Sequence, residues 1–282
     1  MLTKRIASTT LALASALAIP SASLFARPAC AKLDLSVENL TCAEPANSQA
    51  DFLPLPINAD RKSLFHYGTN KLSMKVGGIR RTFTLFIPRG LRVQDRPALV
   101  FVLHGALGDG ESARWNCQMN AEAEKRKFYL IYPDATGIHT WNAGDCCGFG
   151  KLRKTRDVAF ISDMIDFMEL RLNTDSRRVF VAGLSNGGMM AYRLGIELSD
   201  KIAAIGPVEG AMEFHGSPKA PVSVVAIHGK HDHVVKYDGK VGSWFFVPVH
   251  APSVSESVGY WVSHDHCSEK PITEFHEGYS MD

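Results

Sequence analysis

One serine framed by glycines, Gly183-Leu184-Ser185-Asn186-Gly187, follows a β-branched and aromatic run at residues 179–181 and leads at once into a helix-like stretch. Strand, G-x-S-x-G and helix in that order make a sharp turn that lifts a hydroxyl out of the sheet edge as a nucleophile. Glycines are needed on both sides because side chains there would meet the neighbouring strand and helix. The competing reading is a glycine-rich turn in which Ser185 merely caps the helix. A serine that attacks a carbonyl needs donors for the charge that develops on oxygen. The backbone N–H of Asn186 is one candidate. The other is the N–H of Ala106 in LHGALGDG (residues 103–110), a loop that directly follows another apolar run. His104 in that loop reads as a buried, hydrogen-bonded residue that shapes the turn.

The same chemistry requires a carboxylate after a later strand to orient and stabilise a base. AIHGKHDHVV (residues 226–235) leaves an apolar run and offers Asp232, with a surface loop aspartate as the rival reading. His228, His231 and His233 stand beside it at i, i+3, i+5, a spacing that makes a weak metal set, and no metal is expected. No cofactor is implied.

These loops need a frame. KLSMKV, the Gly77-Gly78 turn and RRTFTLFIP read as a β-hairpin ending at Pro88. ALVFVL (98–103), FYLIYP (128–133), AAIGPV (203–208) and VSVVAI (222–227) are continuous apolar runs, the pattern of strands covered on both faces. AEAEKRK has helical composition. Residues 157–172 place Phe160, Ile161, Met164, Ile165, Met168 and Leu172 on one helical stripe, and a further helix is expected over residues 255–264. Strands alternating with helices predict a mostly parallel sheet with helices on both sides, whose functional loops gather at the carboxyl ends of the strands.

The chain has 282 residues, of which 45% are hydrophobic and 21% charged, with a formal charge of +2. That length suits one large domain, and nothing in the charge pattern points to nucleic acid. At the N-terminus Lys4 and Arg5 precede an apolar run (6–19), then Pro20 and the small residues Ser21 and Ser23. This is the layout of a secretory signal peptide over residues 1–23, with Ala29-Cys30-Ala31 as an alternative cleavage site. The run is short for a membrane span, so export without a membrane anchor, to the periplasm or the medium, is expected. Residues 24–70 read as an irregular lead-in and 71–282 as the domain that carries these motifs. Export permits disulfides among the six cysteines, but their connectivity is not readable.

Beyond the serine motif, the chain resembles the secreted polyhydroxybutyrate depolymerase and feruloyl esterase group of α/β-hydrolases. The resemblance rests on RRTFTLFIP, LHGALGDG, YPD (132–134), WNAGDCCG (141–148), DVAFISDMID (157–166), GLSNGGMMAYRL, IHGKHDHVV, and YW…C at Tyr260, Trp261 and Cys267. It implies a three-layer α/β sandwich and an ester hydrolase with Ser185 as nucleophile and Asp232 as acid. The substrates implied are polyhydroxyalkanoates or feruloyl and acetyl esters of plant polysaccharide. It also implies that Trp141 and Asn142 lie beside the substrate cleft; a packed loop anchor is the alternative for Trp141.

The resemblance also exposes a departure. Members of the group carry the triad histidine in a G-H-x-W-P-G-like motif after one more strand, and this sequence has none. The expectation is therefore a chain that lacks its last strand and its base, with His276 as the weak formal candidate. The rival to an active esterase is a catalytically inactive family member, either an unstable product or a binder of carbohydrate or polyester. A peptidase on the same fold is a third reading.

Overall fold

The computed structural model describes residues 41–42, 65–145, 148–244, 247–268, 270–272, 274–276 and 279–281. The signal peptide, its cleavage sites, most of the lead-in, Cys30, Cys146 and Cys147 lie outside the described residues.

The hairpin forms between β2 (Gly68–Val76) and β3 (Ile79–Ile87), paired from Gly68↔Ile87 to Val76↔Ile79. Its first strand starts at Gly68, three residues before the boundary expected at Lys71. The lead-in also contributes an edge strand, β1 (Thr41–Cys42), against β2. The apolar runs become β4 (Leu99–Leu103), β5 (Tyr129–Pro133), β6 (Val179–Leu184) and β7 (Ala204–Val208). The run at 222–227 forms a ladder only at β8 (Ser223–Val224), with one further bridge from Ile227 to Val208. The sheet order is β1-β2-β3-β5-β4-β6-β7-β8, antiparallel through the hairpin and parallel from β5 onward. Two short hairpins stand apart from it. One joins β9 (Gly242–Trp244) to β10 (Val247–Val249), the other β11 (Glu274–His276) to β12 (Tyr279–Met281).

Continuous apolar strands are explained by two cores, one on each face. Along β4, Leu99, Phe101 and Leu103 enter one core, while Val100 and Val102 enter the other. Successive side chains point to opposite faces, so a strand buried on both sides has no polar position to spare. Helices α1 (Gly110–Cys117) and α2 (Asn120–Arg126) cover the smaller core with Ala113 and Ala123. A short α3 (Gly148–Arg153) leads into α4 (Asp157–Leu172). With α5 (Asn186–Glu197) and α6 (Val254–His264), α4 covers the larger core. The expected stripe on α4 is buried, and Phe167 joins it. α6 opens with a capping box, Ser253 against Glu256, which satisfies its first amides.

A buried ion pair ties the hairpin to the helix layer. Arg81 on β3 reaches Asp157 at the start of α4 at 2.8 Å, with side chains 3% and 0% exposed. The guanidinium also lies over the Phe160 ring at 4.1 Å. Burial pulls the Arg81 pKa down, and the charge and hydrogen bond of Asp157 oppose that pull.

Parallel register gathers the loops at one edge. Leu103 stands opposite Gly183 and Leu184 opposite Val208, while Val208 bridges Ile227. The segments that begin at His104, Ser185, Glu209 and His228 therefore emerge side by side.

Candidate active site

Ser185 sits at φ 53°, ψ −119°, a conformation few non-glycine residues adopt. Such a residue costs about 1–3 kcal/mol and persists because its surroundings hold it. Its amide donates to Val208 O at 2.8 Å, and its carbonyl accepts from Met189 N as the first turn of α5. The hydroxyl makes no side-chain cap to α5, so the capping reading of this serine fails. The residue is half-buried at the mouth of the edge.

The flanking glycines are dictated by contact. A Cβ on Gly183 would stand 2.3 Å from Gly187 O, and one on Gly187 would stand 2.5 Å from His104 O. Nothing larger than hydrogen fits between β6, α5 and the end of β4.

The loop at 104–110 lies directly against the elbow. A Cβ built on Gly105 would be 3.6 Å from the Ser185 Cβ and 3.4 Å from Leu184 O. Its shape is held at several points. His104 is buried, and its Nε2 accepts from the Ala135 amide at 3.0 Å, so its Nδ1–H donates to Gly105 O at 2.7 Å. Burial lowers the pKa of His104, which keeps this neutral tautomer. Leu107 N donates to His139 O, Gly108 N to Gly105 O, and Gly110 N to the Asp134 carboxylate at 2.7 Å. The Ala106 amide makes no backbone hydrogen bond to a described residue. Ala106 is half-buried, next to Gly105 and thus beside the serine.

Asn186 has a second role that the serine motif did not reveal. Its Oδ1 accepts from the Trp141 amide at 2.7 Å and its Nδ2 donates to Trp141 O at 3.2 Å. The Trp141 indole in turn donates from Nε1 to His104 O at 2.9 Å and packs on the His104 ring at 4.9 Å. The serine turn, the loop at 104–110 and the 141–142 loop are thereby one hydrogen-bonded unit. Trp141 has no solvent exposure, the placement expected of a packed loop anchor. Its bonds to Asn186 and His104 anchor its loop. Asn142 is half-buried and bound through its amide to Asp157 Oδ2 at 2.8 Å. It borders a groove on the helix layer, and neither Ser185 nor Asp232 lines that groove.

Asp232 folds back on its own loop. Its Oδ1 accepts from the amides of Val234 and Val235 at 2.7 and 3.1 Å, and its Oδ2 lies 3.4 Å from His228 Nε2. His228 is itself buried, with Nε2 2.7 Å from Val235 O. His231 and His233 are exposed, and no group of three metal-binding side chains converges among the described residues. A second carboxyl stands nearby that sequence reasoning passed over. Glu209 follows β7 at φ 49°, and its pKa is raised by burial and then by the charge of Asp232. A Cβ on Gly229 would lie 3.8 Å from Glu209 Oε1. A glutamate directly after a strand that neighbours the serine strand was the available signal.

His276 belongs to β11, whose hairpin is not hydrogen-bonded into the eight-stranded sheet. No described histidine is hydrogen-bonded to the Ser185 hydroxyl.

No family model matches the chain. It is 31% identical over 163 residues to a bifunctional acetylxylan esterase/xylanase of Neocallimastix patriciarum, covering 57% of this chain and 22% of that protein. It is 28% identical over 185 residues to the putative esterase NocK of Nocardia uniformis subsp. tsuyamanensis, covering 64% and 53%. It is 29% identical over 119 residues to poly(3-hydroxyalkanoate) depolymerase C of Paucimonas lemoignei, covering 40% and 27%. The chain thus spans about half or less of each relative's length. Among solved structures, that of native sOPH matches with a TM-score of 0.52 at 18% identity, over 70% of this chain and 76% of that one. The chain has an α/β-hydrolase fold and is similar in sequence, over part of its length, to an acetylxylan esterase/xylanase, to feruloyl esterases and to a poly(3-hydroxyalkanoate) depolymerase.

Proposed function

We propose that the chain is a secreted carboxylic-ester hydrolase acting through an acyl-enzyme on Ser185. The observation that carries this reading is the strained, uncapped Ser185 at the strand-to-helix turn, pressed against a loop of fixed shape. Attack of Oγ on an ester carbonyl gives a tetrahedral intermediate whose oxyanion is received by the Ala106 and Asn186 amides. Collapse expels the alcohol, and water then releases the acid. Asp232 is the carboxylate that would orient a base; its amide-bound Oδ1 leaves Oδ2 as the face for that partner. The substrates this reading favours are feruloyl or acetyl esters of polysaccharide and polyhydroxyalkanoates, by likeness to the named relatives.

A second reading has a specific observation behind it. The histidine nearest Asp232 is buried against Val235 O, and the hairpin of His276 stands outside the main sheet. Without a base the serine keeps only the residual rate that oxyanion donors supply, several orders of magnitude below a full triad. The experiment that separates the readings is hydrolysis of short acyl and feruloyl esters by the purified chain and by Ser185→Ala, Asp232→Asn and His276→Ala. The proposal expects activity that Ser185→Ala abolishes. Activity untouched by Ser185→Ala would overturn it, and loss on His276→Ala would identify the base.

A further inference from the structure

A groove of about 840 Å³ opens on the helix layer, away from the serine. It runs between the first half of α4, the second half of α5 and the segments at 142–145 and 213–215. Pockets of this size hold ligands of one to a few ring units. Its floor carries a carboxyl group that the fold leaves unused. Glu213 is 6% exposed, and its Oε1 has no hydrogen-bond partner among the described residues. A buried polar atom left unpaired is costly and calls for a partner.

The walls sort by charge. Arg193 is committed: Nη1 donates to Asn142 O at 2.7 Å, Nε bonds Glu197, and the guanidinium lies over the Phe214 ring at 4.7 Å. Lys151 is held at the rim by Asp145. Lys154 and Arg156 also line the groove, are exposed, and have no carboxylate within ion-pair distance among the described residues, although Arg156 lies against the Gly77 turn and its charge acts on Asp163. Two cations outside any ion pair among the described residues therefore line the same groove as one unpaired carboxyl oxygen. The cations call for an anion, and the floor calls for a hydroxyl or another hydrogen-bonding group.

We propose that this groove binds a hydroxylated carboxylate of sugar size, a uronate, with its hydroxyls on Glu213 and its carboxylate on Lys154 and Arg156. The pairing is consistent with the state of the floor. Burial, and then the charge of Asp145, pushes Glu213 up to about 7 against the pull of Lys151, so its neutral form donates a hydrogen bond below that pH. Arg193, Glu197 and His215 complete the titratable and charged groups around it. As pH rises through about 7 the carboxyl ionises and opposes the bound anion. The site does not depend on the chemistry assigned to Ser185.

The test is calorimetric titration of the full chain, carrying Ser185→Ala to silence hydrolysis, with glucuronate at pH 6 and pH 8. The proposal expects saturable binding at pH 6 that weakens at pH 8. Lys154→Ala/Arg156→Ala, both on the surface, should lower affinity about tenfold or more at pH 6. Glu213→Gln keeps a neutral donor and should bind equally at both pH values. Methyl glucoside, lacking the carboxylate, should bind more weakly. No saturable binding of glucuronate overturns the proposal. So does equal binding of sulfate, or affinity unchanged in the double variant.

Discussion

Asn186 bears on both geometry and chemistry. Its side chain holds both backbone groups of Trp141, and its own amide follows the serine. Replacing it with alanine leaves the buried amide of Trp141 without its partner, at about 1–3 kcal/mol, while Trp141 O keeps the Ala143 amide. Asn186→Ala is therefore expected to lose about 2 kcal/mol in urea unfolding and to lower kcat more than KM, because the Trp141 indole it positions also holds His104 of the 104–110 loop. Glu213 gives a pH signature. Its folded pKa of about 7 lies above the ordinary 4.5, so the folded state binds more protons between those values. Stability should then be full at and below about pH 4.5, fall as pH rises, and level off above about 7. The swing should be about 1–3 kcal/mol, and Glu213→Gln should flatten it in thermal unfolding across that range.

At the scale of elements, the elbow is a contact between β6, α5 and the end of β4 with no spare volume. Gly187→Ala would set a methyl 2.5 Å from His104 O and 2.6 Å from Leu103 O. Backbone on both sides has to move, so a loss of about 3 kcal/mol or more is expected, together with loss of activity as the loop at 104–110 shifts. The parts of this arrangement with strong local signals were legible in advance. Ser185, the strands at 99–103 and 179–184, and the helix at 157–172 follow from periodicity and glycine placement. What was not legible depended on long-range contact. Trp141 reads alike as wall or anchor until Asn186 and His104 are seen to hold it. Glu209 gains meaning only when register sets β7 beside β8. The strand at 222–227 shortened to two residues because an apolar run does not reveal how much of it finds a partner.

For the whole molecule, the hairpin at one end of the sheet and the loops at the other are joined through one ion pair. Asp157 receives Arg81 from β3, the Asn142 amide and the Thr155 hydroxyl. Removing Arg81 leaves that carboxylate buried without its counter-ion, which costs about 3–5 kcal/mol. Arg81→Met should accordingly lower Tm by about 10 °C in calorimetry, and the 141–142 loop should loosen with it. The account of function rests on a reactive serine at the carboxyl edge of this sheet. The most direct measurement is reaction of the folded chain with a fluorophosphonate probe, followed by mass spectrometry of its peptides. The account predicts one adduct, on Ser185, that is lost on heat denaturation and absent from Ser185→Ala. A folded chain left unlabelled, or labelled at another residue, would contradict it.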